Sequence, residues 1–99
     1  MVTEMARLVV SPENKSRFEK AVSLAVEHFK QAEGCHSFAL DAVIENEGEY
    51  VLLVRWDSVE AHMETFRQSE GFAAWRSLVS EFFIAPPAVV HTRTVIDGF

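Results

Sequence analysis

Four consecutive apolar residues inside one strand-forming run, Val51-Leu52-Leu53-Val54, constrain this chain more than any other feature. They belong to EYVLLVRW at 49–56, whose β-branched and aromatic content predicts a strand. Side chains on a strand point alternately to opposite faces, so a sheet wetted on one side alternates apolar with polar residues. This run does not alternate. Nor does Leu8-Val9-Val10, within the strand predicted over EMARLVV at 4–10. Both faces of these two strands are therefore expected to be shielded from water.

The segments around them supply one shield. After the first strand comes SPEN, in which Ser11 suits an N-cap, Pro12 the first helical position and Glu13 the first turn. Phe18, Val22, Ala25 and Phe29 then recur at helical spacing, and Gly34 ends the helix. SFALDAVI at 37–44 reads as a strand with Phe38, Leu40, Ala42 and Ile44 on one side. A polar turn at 45–48 joins it to 49–56 as a hairpin. Asp57 or Ser58 can cap the next helical stretch, predicted over 59–67 and 70–83 with a break near Ser69–Gly71. Pro86-Pro87 stops it, and AVVHTRTVI at 88–96 is β-branched enough for a last strand. The order β-α-β-β-α-β is the α+β, ferredoxin-like plan, with two helices on one face of an antiparallel sheet. Two helices cover only one side. A second copy of the sheet is the simplest cover for the other, which predicts a homodimer packed sheet on sheet.

The sequence has 99 residues, which fits a single domain over 1–99. Eight Phe and two Trp exceed what a thin two-layer core needs, so part of this supply is available to line a pocket or an interface. A net charge of −6 argues against nucleic acid and against an anionic membrane surface. Cys35 is the only cysteine, so no intrachain disulfide forms. The first residues lack the basic and apolar regions of a secretory signal, and no run reaches the ~18 apolar residues of a membrane span. The cytoplasm is the expected compartment.

An ordered set of short strings carries a resemblance over about residues 5–96: GCHSF at 34–38, YVLLVRWDSVEAH at 50–62, FRQSEGFAAWRSL at 66–78 and FFIAPPAVVH at 82–91. In these the chain resembles the antibiotic-biosynthesis monooxygenase family. The resemblance implies a dimeric α+β barrel with a pocket between sheet and helices in each subunit. It also implies a reaction without flavin or metal, in which O₂ oxidises an electron-rich aromatic substrate such as a phenol, a quinol or a polyketide ring. Such chemistry asks for an apolar aromatic pocket with a few polar groups that deprotonate the ring and stabilise its anion.

Carried over residue by residue, Trp56 in Trp56-Asp57-Ser58 matches a pocket tryptophan. His62 stands where relatives have an aromatic hydroxyl, and Arg76 matches an assisting arginine. These three are the candidate catalytic residues. Leu52, Phe66, Trp75, Phe82 and His91 are candidates for binding substrate. Leu52 departs from the pattern, since relatives carry a hydrogen-bonding asparagine there. The haem-degrading branch of the family needs an iron-ligating histidine where this chain has Arg76, and guanidinium is no iron ligand. No metal site is expected.

Plainer readings stand beside these. Trp56 can be a core plug at a strand end, and His62 a solvated helix residue. His91 can face the sheet or a dimer interface, and Arg76 can pair with Ser80 or Glu81. Phe72, Trp75, Val79 and Phe82 follow helical spacing and fit a core equally well. Glu45, Glu47 and Glu49 read as a solvated turn, His28 and His36 as exposed, and Cys35 as an unactivated thiol. The alternative function is the same dimer holding an aromatic small molecule without turning it over.

Overall fold

The computed structural model describes residues 1–99. Four strands, β1 (Val2–Val9), β2 (Cys35–Ala42), β3 (Glu49–Trp56) and β4 (Ala88–Thr92), form one antiparallel sheet in the order β2-β3-β1-β4. Helices α1 (Lys15–Lys30) and α2 (Glu70–Val79) pack on one face. The strand order is that of the ferredoxin-like α+β plan, and the predicted class holds.

Strand parity makes the core. On β3, Tyr50, Leu52, Val54 and Trp56 are buried, and on β1 Glu4, Ala6 and Leu8 share that inner face. Phe18, Val22, Ala25 and Phe29 of α1 press onto them, as the four-three-four spacing predicts. Phe29 is the hub of the aromatics, with ring centroids 4.7 Å from Phe38, 4.8 Å from Phe66 and 5.2 Å from Trp75.

Several boundaries differ from the sequence reading. The first strand begins at Val2 rather than residue 4, which puts Glu4 in its interior. The second covers 35–42, and Ile44 lies beyond it in the turn, 94% exposed. The last strand stops at Thr92, the end of its pairing with β1, so Val95 and Ile96 project freely. Ser11 accepts the Asn14 N–H through its backbone carbonyl, not its side chain, because a 3₁₀ turn at Pro12–Asn14 precedes α1. Ser58 does cap, its Oγ accepting the Ala61 N–H at 3.1 Å.

The stretch between β3 and α2 sets up the cleft. Ala61–Thr65 is a π-helical turn, followed by a 3₁₀ turn at Phe66–Gln68 and a sharp break at Ser69. Ser69 Oγ accepts the Phe72 N–H at 3.2 Å and starts α2. The wide π turn keeps both His62 and Phe66 buried against the sheet. No helix is long and apolar enough to cross a membrane.

Candidate active site

A cavity of about 360 Å³ opens between the inner face of the sheet, the π turn and α2. That is near the small end of the ~300–1,000 Å³ range of ligand pockets. Its floor is Ala6 and Leu8 of β1 with Leu52 of β3, and its far side is Phe72, Trp75 and Val79. Glu4 and His62 supply polar groups, and Arg67, Arg76 and Ser80 supply more.

Glu4 is 5% exposed although it is a carboxylic acid. Acids at such depth are paired or neutral. Its Oε1 accepts the Trp56 indole N–H at 3.0 Å and lies 3.2 Å from His62 Nε2. His62 Nδ1 is 2.8 Å from His91 Nε2. Register explains the convergence. Glu4 stands opposite Val54 on one side and His91 on the other, and Trp56 is the next inward residue along β3. The π turn lays the His62 ring on the Trp56 indole, with centroids 5.2 Å apart and planes 14° from parallel.

Burial dominates the titration of this cluster. It pushes the Glu4 carboxyl up to about 7, against the Trp56 hydrogen bond and the Arg67 charge, which pull it down. Burial, with His91 and Arg67, pushes the His62 imidazole down to about 4. Both shifts run toward the neutral forms, so the Glu4–His62 contact is a hydrogen bond and not an ion pair. With Glu4 ionised and His62 neutral, one assignment gives every contact a single donor. Trp56 N–H and His62 Nε2–H donate to Glu4 Oε1, and His91 Nε2–H donates to His62 Nδ1. The two nitrogens of His62 face different partners, so the groups lie in a line rather than around a point.

The residues singled out in the sequence fall into two sets. His62, Arg76, Leu52 and Trp75 line the cavity. Trp56 does not reach it: its ring is fully buried behind Glu4 and His62. Phe66 packs behind as well, 5.1 Å from Trp56. His91 stands one hydrogen bond back, half-buried on β4. Phe82 lies away from the cavity, edge-on to Phe18 at 6.0 Å. Cys35 is outside it too, and burial pushes its thiol up, away from reactivity. The sequence reading missed Glu4, Arg67 and Phe72 as cavity residues. For Glu4 a signal existed: it shares parity with Ala6, Leu8 and Val10, so an acid sits in an inward register.

Sheet order, helix placement and cleft together define a ferredoxin-like α+β fold with a site between sheet and helices. The family described as antibiotic biosynthesis monooxygenase matches residues 1–78, and the chain belongs to that family. It is similar to YczJ, an uncharacterised protein of Bacillus subtilis (strain 168), at 32% identity over 95 residues, covering 96% of this chain and 100% of the relative. A crystal structure from Bordetella bronchiseptica that carries the family's name matches with a TM-score of 0.93 at 42% identity, covering 96% of this chain and 97% of its own. SnoaB from Streptomyces nogalater, described as a cofactor-independent oxygenase, matches with a TM-score of 0.79, covering 98% of this chain and 95% of its own. At 16% identity that last likeness concerns the fold alone.

Proposed function

We propose that this protein is a small cofactor-independent monooxygenase that acts with O₂ on a phenolic, quinol or polyketide-like aromatic substrate. The observation that carries the reading is the Glu4 carboxyl, buried at the wall of an aromatic-lined cavity, where burial pushes it up to about 7. A base is most effective when its pKa lies near the working pH. Glu4 takes the proton of the substrate hydroxyl while Trp56 and His62 fix the carboxylate. The resulting phenolate is electron-rich enough to react with O₂ directly. For a hydroquinone, a ring C–H becomes C–OH and the ring becomes a quinone. These changes release four electrons, which reduce O₂ to one product oxygen and one water. The substrate supplies every electron, so no flavin or metal is called on.

His62 and Arg76 touch the substrate in this reading, with Leu52 and Trp75 as its apolar bed. Trp56 is a positioning residue that acts through Glu4, and His91 orients His62. Phe66 and Phe82 support the walls from behind. The test is oxygen uptake with dithranol or menadiol above the spontaneous rate, using isotopically labelled O₂. One labelled atom in the organic product supports the reading. No uptake above background with either compound overturns it.

Leu52 favours a second reading. It lies on the cavity floor at the position where the family resemblance implies an asparagine, and it offers no hydrogen bond to substrate or oxygen. A binding protein without turnover would retain an aromatic ligand through purification and consume no oxygen.

The same proposal includes a homodimer. On the outer face of the sheet, Ala39, Leu53, Met5 and Val90 are register partners in one apolar row across all four strands. A second copy of the sheet would cover it. The reading puts the protein in the cytoplasm, on the strength of the lone thiol of Cys35.

A further inference from the structure

The chain carries fifteen acidic and nine basic residues, and the surface as a whole is negative. The cavity reverses that sign. Its only charged groups are Arg67, Arg76 and Glu4. Arg67 reaches in from the turn after the π segment, its guanidinium 5.3 Å over the Phe72 ring. Arg76 lies on α2, one turn before Ser80, and both line the same space. Neither guanidinium forms an ion pair with the protein, whereas Arg7 is held by Glu49 and Lys15 by Glu47. Two cations at the cavity, both open to solvent and with no carboxylate assigned to them, leave their guanidinium donors for a ligand, apart from one Arg67 N–H that meets Met63 Sδ at 3.9 Å. The field of Arg67 is felt at the far wall, where it acts on both Glu4 and His62.

Volume limits the partner. About 360 Å³ holds a one- or two-ring aromatic with a small substituent, and is tight for a four-ring polyketide. We infer that the substrate is a hydroxylated one- or two-ring aromatic acid, its carboxylate held by Arg67 and Arg76 while its hydroxyl meets Glu4 across the ring. This names the substrate class of the oxygenase reading and rests on it for the place of the hydroxyl. In turnover the carboxylate is a spectator: for a hydroquinone acid, a ring C–H becomes C–OH and the hydroquinone becomes a quinone, and the four electrons released reduce O₂ to that product oxygen and one water. Arginine suits this task because its planar fork matches a carboxylate bidentately. Phe72, already under Arg67, would stack on the ring beside it.

The test uses two matched pairs on the full chain. Binding by calorimetry compares a hydroxynaphthoate, with hydroxyl and carboxylate in meta relation, against the naphthol that lacks the acid. Turnover by oxygen uptake compares a naphthalene hydroquinone carboxylate against the plain hydroquinone. The acid is expected to bind at least about tenfold more tightly, the usual scale of a charge-assisted pair. Its kcat/KM should exceed that of the neutral compound by a similar ratio. Both ratios should fall toward one in Arg67→Gln with Arg76→Gln, return in part in the two lysine variants, and shrink with salt. Equal affinity of acid and neutral ligand overturns the inference, as does a preference that survives the double glutamine variant. If the binding preference holds while neither hydroquinone is consumed, the acid subsite stands and the oxygenase reading falls.

Discussion

Glu4 is the residue on which the site turns. A carboxyl at about 7 is half ionised near neutrality, so activity with a phenolic substrate should rise with pH through about 7 and then level off. Glu4→Gln keeps an oxygen for Trp56 and His62 but cannot take a proton, and kcat for oxygen uptake should fall by roughly 10²–10⁴. Trp56→Phe tests the support. Its indole N–H favours the charged form of Glu4, so losing it lets burial push the carboxyl higher still. The midpoint of the pH–rate profile should then move upward from about 7 in stopped-assay measurements across pH. A tryptophan that merely filled space would leave that midpoint in place. Trp56, His62 and Arg76 were singled out in the sequence because the family's strings surround them; His62 and Arg76 line the cavity and Trp56 lies behind it. Glu4 was not singled out, because the sequence reading began the first strand at residue 4. At a strand end a carboxylate is ordinary; in the interior of β1, on the buried face, it is costly.

At the scale of elements, helix spacing and strand parity predicted the right faces, and the errors lie at the ends. AVVHTRTVI is rich in β-branched residues, yet β4 lasts only as long as β1 offers it partners. Propensity describes a residue's fit to a pleated surface and not whether a neighbouring strand is there. The π turn at Ala61–Thr65 was also invisible, since five-residue spacing leaves no pattern apart from the four-residue one at this length. The hairpin before β3 depends on one backbone position. Gly48 has φ +88°, its carbonyl accepts the Val10 N–H at 2.8 Å, and an added Cβ would lie 2.3 Å from the Val10 carbonyl oxygen. Gly48→Ala should therefore cost at least about 1–3 kcal/mol, read as a lower urea midpoint with unchanged slope.

The whole molecule is two-layered, and its outer sheet face states the assembly problem that the unbroken run at 51–54 raised. Leu53 and Val51 are half-buried there, while Met5 and Val90 are open to solvent at 36% and 57%. A contiguous apolar row of this kind is a sign of an interaction surface. Leu53→Lys should turn a dimer into a monomer in analytical ultracentrifugation, while the circular dichroism of the inner core is retained. A monomeric wild type would remove the self-association proposal, and a variant that stays dimeric would remove this face as the interface, in neither case touching the cavity, which lies on the other face. The fold was readable at this scale because six segments with clear periods allow few arrangements. The cavity was not, because a phenylalanine that fills a space and one that borders it have the same spacing in sequence.

The placement of Trp56 has an optical consequence. Its indole has no exposed surface, donates to Glu4 and is stacked on the His62 ring. An excited indole is quenched differently by a neutral carboxyl than by a carboxylate, and by an imidazolium than by a neutral imidazole. The protein thus carries its own indicator dye beside the Glu4 carboxyl, and its emission can record the charge on that group in the resting state before any substrate is known.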